Sequence, residues 1–329
     1  MGRFLKFLSF VLFGLSLLAA GAALWGNARY KDKGPSEAEI SIIIERGMGI
    51  DAIARELHRV GILAVPLVFR IAARLLEADK SLKAGEYAFP PGISPKDALE
   101  LLQSGKTVIR RVTFAEGLST AEILGLLRRT EGLQGKIWPV PGEGVLLPET
   151  YHFSYGDKRQ TIVRRMADGM RDLLENLWRN RAPGLPLAFP LEAVILASIV
   201  EKETALASER PRVAAVFINR LRKGMRLQSD PTVVYGLTRG ARPLGRPLSR
   251  GDLKTASPYN TYLVGGLPPG PIANPGSASL EAVLRPMETD ELYFVADGNG
   301  GHVFAKTLKQ HNRNVAKWRK LNRANKTAK

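Results

Sequence analysis

Residues 191–203, LEAVILASIVEKE, carry no glycine or proline and are apolar for most of their length. That pattern predicts a helix buried on most sides, the core element of a mainly helical domain. At about 100° per residue, Glu192 and Glu203 fall on nearly the same line, the one face that meets water in this reading. Glu201 projects roughly 160° away from Glu203, between the directions of Val194 and Ala197. A carboxyl group held against apolar neighbours resists ionisation, so its pKa is expected to rise toward the range of a general acid working near neutral pH. The competing reading of the same residue is an ion pair with one of the many arginines.

Composition narrows the chemistry around that helix. The chain has 329 residues, 45% of them hydrophobic, enough for two domains with cores. It has no cysteine and four histidines, and it lacks HExxH, GxSxG and GxxxxGK[ST] strings. Thiolate chemistry is therefore excluded, and a zinc hydrolase, a serine-elbow hydrolase and a P-loop enzyme find no motif. We expect neither a metal nor an organic cofactor. The formal charge of +17 calls for an anionic polymer or membrane surface. No acidic residue follows Asp297, while Lys306, Lys309, Arg313, Lys317, Arg319 and Lys320 lead a basic run to the C-terminus. Charge alone also fits nucleic acid.

The N-terminus argues against that partner. Residues 7–25 form an uncharged run after Arg3 and Lys6, long enough to cross a bilayer core of about 30 Å. The small residues from Ala19 to Ala23 also fit a signal-peptide cleavage site, but the run exceeds the usual signal core. Trp25 and Tyr30 suit an interface. We read residues 1–30 as a cytoplasmic tip and a retained transmembrane anchor, with everything beyond exported. Residues 31–37 are a linker.

Three segments then share an eleven-residue frame: GMGIDAIAREL from Gly47, GISPKDALELL from Gly92 and GLSTAEILGLL from Gly117. Each follows an extended stretch, and Ser94 and Ser119 stand where helix N-caps belong. Residues 38–130 thus read as repeated strand–helix units of an α+β fold, with an extra helix over 65–76. Helices are predicted over 161–180 and from a cap at Ser208. Residues 227–276, rich in proline and glycine, read as a stiff loop platform. A hairpin over 291–307 and a basic helix from Thr307 close the chain.

That platform carries Gln228, Asp230, Tyr235, Tyr259, Asn260, Tyr262 and Asn274, amides and aromatics suited to a neutral, hydroxyl-rich ligand. With Glu149 these are the candidate binding residues. Asp230 and Glu149 are also candidates to stabilise positive charge, or to anchor an arginine such as Arg220.

The strings ASIVEKETA (197–205), FINRL (217–221), LQSDPTVVYG (227–236), SPYNTY (257–262), GLPPGPIANPG (266–276) and YFVADGNGGHVF (293–304), with EGVLLPETYHF (143–153), resemble the YceG-like family of membrane-anchored endolytic murein transglycosylases. The resemblance implies a LysM-like module over 38–105 and a lysozyme-like catalytic domain over 106–329. It implies internal cleavage of nascent peptidoglycan strands at the inner membrane, with the catalytic domain in the periplasm. Peptidoglycan synthases are implied neighbours and nucleic acid is not a partner. It also implies that Glu201, the first glutamate of the SIVEKET string, is the single catalytic residue: acid toward the MurNAc–GlcNAc oxygen, then base toward the muramyl C6 hydroxyl, leaving a 1,6-anhydro end. A non-catalytic wall-binding scaffold is the alternative, since it would keep the platform and need no buried acid.

Overall fold

The structure is a computed structural model that describes residues 2–327. It is a mixed α+β chain, about half helical, with small antiparallel sheets. The chain divides into two compact units, one holding residues up to 110 with 152–157 and the other holding 111–151 with 158 onward.

In the first unit, helix α1 (Gly2–Lys31) has a mean hydropathy of 2.2 over its most apolar window and buries nothing. It is long and apolar enough to cross a membrane. Strand β1 (Ile40–Ile44) pairs antiparallel with β2 (Gly85–Phe89), from Ile40 opposite Phe89 to Ile44 opposite Gly85. The period-2 alternation sends Ile42, Ile44, Tyr87 and Phe89 to the same core. Helices α2 (Ile50–Arg59), α3 (Pro66–Leu75) and α4 (Pro95–Ser104) cover it with Ile53, Leu57, Phe69, Leu99 and Leu102. Burying each such side chain contributes about 1.5–3 kcal/mol. The eleven-residue frame is physical: each helix begins three residues after its glycine, and Gly47 and Gly92 hold φ of 85° and 65°. A side chain is disfavoured at such a turn. Ser94 caps α4 by accepting the Asp97 N–H.

The second unit repeats the device at Gly117 (φ 76°), followed by α5 (Thr120–Arg129). Ser119 and Glu122 form a full capping box there. Strands β3 (Ile109–Thr113) and β4 (Thr150–Ser154) lie where the chain passes between units. The unit's core is α7 (Pro190–Glu203), whose residues from Ala193 to Val200 are all buried. Around it pack α6 (Arg159–Arg179), α8 (Arg210–Arg222) and α10 (Ser277–Leu284). The hairpin is β5 (Tyr293–Ala296) with β6 (His302–Ala305), fixed by an edge-on contact of Phe294 with Phe217 and followed by the basic helix α11 (Leu308–Thr327).

Two local expectations change. Residues 227–236 are not all loop, because Asp230 and Pro231 open a nine-residue helix, α9 (Asp230–Thr238). Proline in the first turn lacks an N–H that would be orphaned anyway, so here it starts a helix. Ser208 is not the cap of α8, whose N-cap is Glu209 without a capping side chain.

Candidate active site

The last turn of α7 aims three side chains in three directions. Glu201 is almost enclosed, with its side chain 5% exposed. Its Oε1 lies 3.2 Å from the Arg210 Nη2, and its Oε2 accepts the Gly276 N–H at 2.9 Å. The same Arg210 Nη2 reaches Glu116 at 3.3 Å. Burial, and next the charge of Glu201, push the Glu116 carboxyl above its ordinary range. The packing leaves no slack, since a Cβ on Gly276 would sit 1.7 Å from the Glu116 Oε1. Glu201 is thus an ion-pair partner that ties the α7 terminus to the 266–276 loop. Lys202 points elsewhere, its Nζ donating to the Gly117 carbonyl at 3.1 Å.

Glu203 has the other environment. It does not share a water-facing line with Glu192, which folds back to accept the Ala188 N–H at 2.5 Å. Glu203 instead lines a pocket of about 430 Å³ together with Arg220, Gln228, Asp230, Tyr262, His302 and His311. Its Oε1 accepts the Ser229 hydroxyl at 2.5 Å. Burial pushes its pKa up to about 7; the Ser229 hydrogen bond lowers it and the charge of Asp230 raises it. Desolvation is the largest influence on this carboxyl, and the nearby charges of His302 and Arg220 oppose it only in part.

The walls of the pocket are built by two loops that grip each other. Gln228 sits in the left-handed region at φ 53°, which a non-glycine residue adopts only when its surroundings hold it there. Its N–H donates to the Thr261 carbonyl, and the Ser229 N–H donates to the Thr261 Oγ1 at 3.0 Å. The exposed Asp230 accepts the Tyr262 hydroxyl at 2.6 Å. His302 is held by Glu209 through its Nδ1 at 2.7 Å. The His311 Nδ1 is buried with no hydrogen-bond partner among the described residues. Beyond Asp230 lies a second pocket of about 510 Å³, to which Lys202, Tyr235 and Arg242 also contribute.

The candidate residues therefore divide. Gln228, Asp230 and Tyr262 come together at the first pocket, and Tyr235 stands in the second. Tyr259 packs against Tyr235 at 4.8 Å between centroids, with the Arg239 guanidinium 4.9 Å from its own ring centre. Glu149 is exposed and lines neither pocket. Two assignments are corrected. Asn260 is 1% exposed and spends its amide on the Leu253 and Thr255 carbonyls and the Tyr262 N–H. Asn274 is fully buried and joins Leu146, Leu118, Thr120 and Glu143. Both buried amides are spent inside the protein, Asn260 on backbone groups and Asn274 on backbone groups and the Thr120 and Glu143 side chains. Arg220 anchors neither Asp230 nor Glu149; it donates to the Leu292 and Leu227 carbonyls, both at 2.7 Å. Sequence reasoning missed Glu203, His302 and His311; Glu203 and His302 lie in the quoted strings, while His311 lies outside them and gave no linear sign. Among the described residues no cluster of three His, Asp or Glu is disposed to hold a metal ion.

The profile of the YceG-like family matches residues 42–317. The chain belongs to the YceG-like family. An endolytic murein transglycosylase of Bacillus subtilis is 31% identical over 92% of this chain and 91% of its own length. One of Streptococcus pneumoniae is 28% identical over 94% of this chain and 64% of its own length. A solved structure of a yceG-like protein from Listeria monocytogenes superimposes with a TM-score of 0.50 at 29% identity, covering 84% of this chain and 99% of that one. The family match takes in both compact units and every site residue named above.

Proposed function

We propose that this protein is a membrane-anchored endolytic murein transglycosylase that cuts peptidoglycan glycan strands at the MurNAc–GlcNAc bond, and that Glu203 is its catalytic acid and base. The observation that carries the proposal is the Glu203 carboxyl, desolvated beside a pocket that holds amide, hydroxyl, guanidinium and imidazole groups. A pocket of about 430 Å³ lies in the usual range for small-ligand sites. The relatives named above supply the substrate class.

The reaction balances with one carboxyl group. Protonated Glu203 gives its proton to the glycosidic oxygen as the C1–O bond breaks, and the bond pair leaves with that oxygen. The resulting carboxylate takes the proton of the muramyl C6 hydroxyl, whose oxygen closes on C1. The product is a 1,6-anhydromuramyl end, no water is consumed, and Glu203 is again protonated. Ordinary glycosidases need a second carboxylate as nucleophile or base; here the substrate brings its own nucleophile. Asp230, across the pocket, is positioned to favour positive charge developing at C1, and Gln228, Tyr262 and His311 offer hydrogen bonds to acetamido and hydroxyl groups.

Glu201 has a different part in this reading. Its two carboxyl oxygens are engaged by Arg210 and the Gly276 N–H, which suits a group that positions the α7 terminus. Residues 1–31 anchor the protein in the inner membrane with the catalytic unit in the periplasm, where nascent strands and their synthases are found. Digestion of uncrosslinked glycan followed by mass spectrometry tests the activity. The expected products are internal fragments with anhydro ends; reducing ends would indicate a hydrolase, and intact strands a wall-binding scaffold.

A further inference from the structure

Helix α3 has three faces, and only two are accounted for by the fold. Phe69 and Ala73 are fully buried in the core of the first unit. Arg70 and Arg74 turn to Asp51 on α2, with Arg74 Nη2 3.0 Å from the Asp51 Oδ2. The third face is Leu67, Ile71 and Leu75, at i, i+4 and i+8, exposed by 53%, 50% and 79%, and it continues into Leu76 at 61%. Three large aliphatic side chains on one stripe of a ten-residue helix, with a fourth at its C-cap, form a patch that calls for an apolar partner.

The neighbouring element says what that partner is. The stripe forms one wall of a groove of about 500 Å³ whose other wall is α1, through Ala22, Trp25 and Tyr30. The apolar run of α1 from Phe7 ends at Trp25, before Gly26 and Asn27, so at about 1.5 Å per residue its length matches a bilayer core. Residues 22–30 of α1 then lie at the boundary between acyl chains and headgroups, the level favoured by tryptophan and tyrosine. Because one wall of the groove is the anchor itself, whatever fills it is continuous with the medium around the anchor.

We propose that α3 is an interfacial helix that lays Leu67, Ile71, Leu75 and Leu76 into the phospholipid bilayer beside α1. The first unit is then held to the membrane by two elements, one spanning and one lying on the surface. Arg70 and Arg74, on the adjoining face, stand at headgroup level, and the chain's positive charge favours anionic lipid.

The chain has no cysteine, which makes the test direct. A single cysteine, Leu75→Cys or separately Leu67→Cys, is labelled with an environment-sensitive fluorophore in the full-length chain. Each is reconstituted in nanodiscs of phosphatidylethanolamine and phosphatidylglycerol. Arg55→Cys, at an exposed position of α2, is the reference. Both target sites are more than half exposed, so the labels leave the core intact, which circular dichroism checks. The expected result is several-fold stronger quenching by brominated lipid at 75 and 67 than at 55, with the reverse order for aqueous iodide. Iodide quenching at 75 and 67 equal to that at 55 would overturn the proposal. So would protection from both quenchers together with energy transfer between two labelled copies, which would make a second copy the occupant.

Discussion

Glu201 and Glu203 are two residues apart and in opposite physical situations, and the difference makes separable predictions. Glu203 has a folded pKa of about 7, above its unfolded value near 4.5. The folded state therefore binds more protons than the unfolded state between those values, and stability falls as pH rises through that window, by on the order of 3 kcal/mol. Glu203→Gln removes the charge while keeping an acceptor for Ser229. We expect thermal unfolding of that variant at pH 8 to occur above the wild type, with the gap closing at pH 5; no gap at pH 8 would argue against the desolvated carboxyl. Wild-type kcat/KM should fall above a pH near 7, as Glu203 loses the proton it must donate. Glu201→Gln weakens a pair that Arg210 partly retains through Glu116, so we expect a loss of roughly 1–3 kcal/mol in denaturant melts with measurable activity remaining. The sequence made the last turn of α7 legible but not the different surroundings of its two glutamates. A helical wheel gives directions and not occupants: Arg210 nine residues on claims Glu201, and the Ser229 hydroxyl claims Glu203. The platform amides misled for a related reason. Asn260 and Asn274 read as ligand groups because a linear string does not reveal that folding has already used their donors.

Elements were the most legible level. The eleven-residue frame located α2, α4 and α5, because a glycine at positive φ and a helix start three residues later are local requirements. Ser119 marks a stronger case than its cap alone, for its hydroxyl also lies 2.7 Å from the Gly240 carbonyl. Ser119→Ala should cost about 1–2 kcal/mol in urea unfolding. Helix α9 was missed because it is short and begins inside a proline-bearing string that resembles its loop neighbours. Helix α7 is held to the 266–276 loop through Ser198, which donates to the Ile195 carbonyl and accepts the Ile272 N–H at 3.0 Å. Ser198→Ala leaves that buried N–H unsatisfied. The expected loss is about 1–3 kcal/mol in denaturant melts; an unchanged melt would contradict the assignment.

At the scale of the whole molecule, the charge of +17 and the apolar N-terminal helix belong to one account. Under the proposed function, a basic chain anchored by that helix is drawn to an anionic bilayer surface. These traits were legible from composition, whereas the division at residue 110 with return of residues 152–157 was not, because it depends on which strands meet across a long stretch of sequence. The central claim is that one desolvated glutamate, Glu203, cuts the glycan. The most direct measurement is the release of anhydro-ended fragments from uncrosslinked glycan by wild-type, Glu203→Gln and Glu201→Gln proteins side by side, each first shown to be folded. The account predicts a loss of at least about a hundredfold for Glu203→Gln and a much smaller one for Glu201→Gln. Near-normal release by Glu203→Gln, with loss in Glu201→Gln instead, would contradict it.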